Sequence, residues 1–153
     1  MKAARRLSYL GCIVATASCF MAGPAHAGVS CHKINAKGVG QDLGGGNTEA
    51  HVIGGGLLQG TTRAHFDITG GSAPVFVIHG TLIVTTNQAT LTVHLGGTFN
   101  VATGAFVSTG PVTGATGKLE EATGTLTLDG VEDLASGRFA EDITGTICVD
   151  LAP

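Results

Sequence analysis

Apolar residues recur at every second position along much of this chain. Leu91, Val93 and Leu95 are interleaved with Thr92, His94 and Gly96, and Leu126 and Leu128 with Thr125, Thr127 and Asp129. Successive side chains of an extended strand point to opposite faces, so each stretch predicts a strand with one dry and one wet face. The clearest case lies near the C-terminus, where Phe139, Ile143, Ile147 and Val149 share one parity and Arg138, Asp142, Thr144, Thr146 and Asp150 the other. Further strands are predicted over Glu49–Ile53, Leu57–Ile68, Val75–Thr86 and Ala105–Val112. Turn signals fall at Gly44-Gly45-Gly46, Gly70-Gly71-Ser72, Asn87-Gln88, Thr103-Gly104 and Gly110-Pro111. Seven or eight short strands, each with one apolar face, predict an all-β fold: a closed antiparallel β-barrel of about eight strands, with a β-sandwich as the alternative. Closure would hide the strand edges that a sheet rich in Thr and Val otherwise leaves open to aggregation.

Composition supports this reading. Of the 25 Gly, 23 follow residue 27, and glycine interrupts every stretch long enough to form a helix. The Thr-Gly pairs between residues 103 and 124 are irregularly spaced, which excludes a fixed-period repeat. The stretch GATGKLEEATGTLTL (114–128) has a phosphate-loop texture, but no Gly-Lys-Ser/Thr follows a strand and no helix can start after it. It is better read as a hairpin, with Gly117 and Gly124 at strand-end or bulge positions, Lys118, Glu120 and Glu121 in a wet turn, and TGTLTL as a strand.

Residues 1–27 are excluded from the fold. Lys2, Arg5 and Arg6 precede an apolar run, Leu10 to Met21, that is too short to span a membrane, and Ala25-His26-Ala27 supplies small residues for cleavage before Gly28. The pattern predicts a secretory signal peptide over 1–27 and one domain over 28–153, secreted or periplasmic. A twin-arginine signal would want an apolar pair where Leu-Ser-Tyr follows Arg5-Arg6, and a lipoprotein signal a Leu within the Thr16-Ala17-Ser18 before Cys19; neither is present. Three of the eight Lys and Arg lie in the leader and all eleven Asp and Glu follow it, so the mature net charge is −6 with neutral His. That charge argues against nucleic acid and anionic membranes as partners, and no stable membrane insertion is expected after leader removal. Cys12 and Cys19 leave with the leader. Cys31 and Cys148 then form a lone pair in an oxidising compartment, a predicted disulfide tying the first and last elements together.

The segments GGGLLQGTTRAHF (54–66), GTL (80–82), TLTVHLGGTFNVATGAF (90–106) and GATGKLEEATGTLTLDGVEDLASGRFAEDITGTIC (114–148) together resemble bacterial secreted members of the allene oxide cyclase barrel-like group, related in fold to plant dirigent proteins. The resemblance spans nearly the whole mature chain and rests on Gly, Thr and apolar positions. It implies an eight-stranded antiparallel barrel with an apolar interior, in a group whose plant members guide cyclisation or coupling of hydrophobic substrates and commonly form trimers. Plant members bring acidic and aromatic or phenolic residues into the barrel mouth; the mature chain here has no Tyr or Trp, and none of their catalytic residues is matched.

Candidate chemistry is sparse. Glu49 and His51 share one face of a strand, as do Arg63, His65 and Asp67, and the Gly54-Gly55-Gly56 link suggests that the two strands are neighbours. Such a cluster could act in general acid/base catalysis or ligate a metal. Because Ala64, Phe66 and Ile68 hold the opposite, apolar parity, it is expected to face outward as ordinary wall polarity. His79 and His94 likewise read as wet-face residues. The acidic run Asp129, Glu132, Asp133, Glu141 and Asp142 reads as a solvated hairpin. No GxSxG, HExxH or Walker motif is present, the mature serines lack a nucleophile context, and no cofactor or metal is expected. The expected function is binding of a small hydrophobic ligand by an interior lined by Leu, Val, Ile and the phenylalanines at 66, 76, 99, 106 and 139. Alternatives are a structural or accessory module with a plugged barrel, or a cofactor-free isomerase or cyclase in which Glu49 or His65 assists.

Overall fold

The computed structural model describes residues 28–150, so the predicted leader lies outside the described residues. Eight strands follow one another: β1 (Ser30–Gly44), β2 (Asn47–Gly54), β3 (Gly60–Ser72), β4 (Val75–Thr86), β5 (Ala89–Asn100), β6 (Ala105–Gly117), β7 (Thr123–Asp133) and β8 (Arg138–Val149). Each pairs antiparallel with its chain neighbour, and β1 pairs with β8, which closes the barrel. A short 3-10 turn, Gly56–Leu58, lies between β2 and β3.

The alternating pattern marks the inner wall correctly, since Leu91, Val93, Leu95, Leu126, Leu128, Phe139, Ile143, Ile147 and Val149 are all buried. Strand β1 has no counterpart in the sequence reading. Its inward positions run Ile34, Ala36, Gly38, Gly40, so the apolar alternation fades into glycine after two residues. Two turn assignments also shift. Gly70-Gly71-Ser72 ends β3 beside a register shift, and the chain reverses at Ala73-Pro74 instead. Gly110-Pro111 lies within β6. A proline, lacking a ladder N–H, is tolerated there because the β5–β6 pairing passes from Val93↔Val112 to Gly96↔Thr109 and skips the positions between.

The two ends of the barrel differ. Ile34, Val84, Leu91, Val93, Leu126, Ile147 and Val149 fill the end that carries the β2–β3, β4–β5 and β6–β7 connections. Leu58 from the 3-10 turn and Leu119 from the β6–β7 turn fold in over them. The hairpin reading of residues 114–128 therefore holds, with Gly117 at a left-handed φ of 63° and Lys118, Glu120 and Glu121 exposed, but Leu119 is a plug rather than part of a wet turn. On the outer face of this end, Cys31 and Cys148 sit opposite each other on β1 and β8 and are joined by a disulfide. The other end carries the β1–β2, β3–β4, β5–β6 and β7–β8 turns, and there the barrel is hollow.

Candidate functional site in the barrel mouth

The hollow end encloses a cavity of about 240 Å³. Four phenylalanines form much of its wall: Phe66 from β3, Phe99 from β5, Phe106 from β6 and Phe139 from β8, the last two meeting edge to face with ring centres 6.0 Å apart. Ile68, Ile78, Leu82 and Leu128 extend the apolar surface, and Phe76 does not border it. For scale, an apolar cavity of roughly 150 Å³ can take up benzene.

Three carboxyl groups break this apolar lining: Asp42, Glu132 and Glu141. Glu141 is the deepest, at 6 % exposure. It sits on β8 between Phe139 and Ile143 in the inward series, with Gly38 of β1 and Gly130 of β7 as its cross-strand partners. Those glycines are what make room for it. A Cβ at position 38 would lie 2.5 Å from Glu141 Oε1, and one at position 130 would lie 2.8 Å from Glu141 Cβ and 2.5 Å from Phe106 Cζ. Among the described residues no hydrogen bond or ion pair reaches the Glu141 carboxyl, and burial alone pushes its pKa up to about 7. Burial disfavours the ionised form of a carboxyl that has no partner, so the group keeps its proton to near neutrality. Glu132, nearer the rim, is also shifted upward, first by burial and then by the like charges of Asp42 and Asp133. Among the described residues no Lys, Arg or His borders the cavity.

Glu141 corrects the reading of the acidic run as a solvated hairpin. Asp129, Asp133 and Asp142 are exposed, and Asp142 pairs with Lys37 on the outer wall. Glu141 turns inward instead. The signal was available in its parity, which matches Phe139 and Ile143.

The sequence-derived cluster lies elsewhere. β2 and β3 are neighbours, and Glu49 stands opposite Arg63 with Oε1 and Nη2 3.5 Å apart. His65 Nε2 lies 3.5 Å from Asp67 Oδ1, its Nδ1 lies 3.0 Å from Asn47 Oδ1, and His51 stands opposite Thr61. All five residues lie on the outer wall, whereas the inner face of β3 carries Thr62, Ala64 and Phe66. His79 and His94 are also exposed on the outside. Solvated pairs of this kind contribute little, so Arg63→Ala should change the unfolding free energy by no more than about 0.5 kcal/mol in urea titration. A loss well beyond that would show that the pair matters to the wall.

Other features are less promising. Among the described residues no three His, Cys, Asp or Glu side chains converge as a metal site requires. The Ser108 hydroxyl is buried without a hydrogen-bond partner and has no base beside it to make it a nucleophile. A larger hollow of about 1120 Å³ at the plugged end, between Leu57, Gln88 and Lys118, is broad and open and gathers no buried polar group. Among the described residues no helix is long and apolar enough to cross a membrane. No protein-family model matches the chain, and neither a curated protein nor a solved structure matches it.

Proposed function

We propose that this protein is an exported binding protein that holds one small, largely apolar molecule in the mouth of its barrel. The observation that carries this reading is the phenylalanine-walled cavity with a single deep carboxyl that no protein group satisfies. A barrel needing only stability would be better served by filling that space, as it does at the other end, because a buried polar group without a partner costs free energy. Export is supported by the leader pattern of residues 1–27 and by the Cys31–Cys148 bridge, which suits an oxidising compartment.

Native mass spectrometry of protein isolated from its host should show the mature mass plus one small adduct. Ala64→Leu, which adds side-chain volume at the cavity wall, should lose the adduct while keeping the far-ultraviolet circular dichroism of the parent. Retention of the adduct by the filled variant would refute binding in the mouth.

The resemblance of the sequence to the allene oxide cyclase barrel-like group favours a second reading, a cofactor-free isomerase or cyclase. Glu141 is the observation behind it, because a carboxyl with a pKa near 7 can both donate and accept a proton at neutral pH. The readings separate on whether the bound molecule is released unchanged or as an isomer of equal mass.

A further inference from the structure

The charge of the mouth narrows the ligand class, an inference that rests on the binding reading above. We infer that the mouth selects a small organic monocation, an ammonium group on an apolar body, whose charge meets Glu141 among the phenylalanine rings. Four observations point there. First, among the described residues the cavity wall carries Asp42, Glu132 and Glu141 and no basic residue. The cations at this end, Lys37 and Arg138, are exposed on the outer face, and Lys37 is engaged by Asp142. Second, Glu141 is more than nine-tenths buried and unpartnered. The elements against it offer nothing to neutralise it: β1 presents Gly38 and, toward the rim, Asp42; β7 presents Gly130 and Glu132; β3, β5 and β6 present Phe66, Phe99 and Phe106. An ammonium donor would supply both the missing hydrogen bonds and the missing charge.

Third, aromatic faces attract cations, more strongly where water is excluded, and four phenylalanines border this one cavity. Fourth, the carboxyl groups do not converge as a metal ion would require, which favours a cation with its own apolar bulk. A carboxylate ligand would bring another negative charge beside three carboxyl groups, at a cost that no basic residue among the described wall residues offsets.

The test is isothermal titration calorimetry of the full mature protein with three probes of one shape: cyclohexylamine, cyclohexanol and cyclohexanecarboxylate. Cyclohexylamine should bind at least roughly tenfold more tightly than cyclohexanol, and the carboxylate should give no measurable heat. Just below neutral pH, amine binding should expel the Glu141 proton, so the observed heat should vary with the ionisation enthalpy of the buffer. Glu141→Gln should weaken the amine by about tenfold or more and change cyclohexanol binding by a clearly smaller factor. Cyclohexanol matching the amine, or the carboxylate binding as well, would overturn the cation preference yet leave an apolar binding site standing. Silence from all three probes would overturn both. The wild-type probe comparison decides the matter even if the variant does not fold.

Discussion

Urea titrations of the wild-type protein should show stability falling as pH rises from about 4.5 to about 7, and Glu141→Gln should remove most of that slope. The sign follows from proton counting. In the unfolded chain Glu141 has its ordinary value of 4.5, whereas in the barrel burial lifts it to about 7. Between those limits the folded state holds a proton that the unfolded state has released, so raising the pH pulls the equilibrium toward unfolding. The stabilisation is complete below 4.5 and lost once the pH passes about 7. Each pH unit of separation corresponds to about 1.4 kcal/mol, which makes the loss roughly 3 kcal/mol, a large share of the stability of a small domain. The glutamine variant should accordingly be the more stable protein above neutrality. It will keep a smaller slope of the same sign from Glu132, whose carboxyl is also shifted upward by burial and by its acidic neighbours. Asp133 acts in the opposite sense at lower pH, since a hydrogen bond from the Ser136 hydroxyl, joined by backbone amides, holds its carboxyl below the usual range. An undiminished slope in Glu141→Gln would show that Glu141 is hydrated or turned out of the barrel.

Removing the Cys31–Cys148 bridge should be costlier still. The bridge spans 117 residues of sequence, nearly the whole barrel, and the loss of chain freedom it imposes on the unfolded state corresponds to about 4 to 5 kcal/mol. Its placement adds to the effect. It sits on the seam between β1 and β8, the one pairing in the meander that joins distant parts of the chain. A Cys31→Ala, Cys148→Ala protein should therefore melt about 10 to 25 °C lower by scanning calorimetry. The wild type under reductant should approach the same value, and reductant should leave the double variant unmoved. A double variant within about 2 °C of the wild type would mean that the ladder closes the barrel unaided.

The parts of the molecule that the chain announces are those whose side chains report their own burial. Leu91, Val93 and Leu95, or Ile143, Ile147 and Val149, alternate so regularly with Thr and charge that strand, face and barrel follow from them. β1 was silent because Gly38 and Gly40 face inward, and glycine carries no apolar signal. Gly38 also explains why the inward carboxyl of Glu141 was missed. Part of the space for Glu141 comes from a glycine just over a hundred residues away, in a strand that pattern alone did not register. The outer cluster of Glu49, His51, Arg63, His65 and Asp67 drew attention because its chemistry is local in sequence. Glu141 has no local companion, only a parity, and parity among acidic neighbours is easily read as solvation. The capping role of Leu119 was hidden for a similar reason, since one apolar residue among Lys118, Glu120 and Glu121 looks like part of a turn.

The matching of bulky inward side chains to glycines on adjoining strands extends around the mouth. Phe139 lies over Gly40 and Phe66 over Gly80, so closely that a Cβ at either glycine would come within 2.5 Å of the ring. Neither member of such a pair can change size freely while the other stays as it is. Shrinking the ring does not by itself make room at the glycine, because a Cβ at position 40 would also lie 2.4 Å from the Glu49 carbonyl oxygen and one at position 80 would lie 2.3 Å from that of His65. These two glycines are therefore held by the ladder as well as by the rings, and bulk can be traded across a pair without moving backbone at Gly38, where the three atoms nearest an added Cβ all belong to the Glu141 side chain. A lineage could therefore vary the mouth by changing the phenylalanines themselves or the Gly38–Glu141 pair, with Gly40 and Gly80 kept, while the plugged and cross-linked end stayed unchanged.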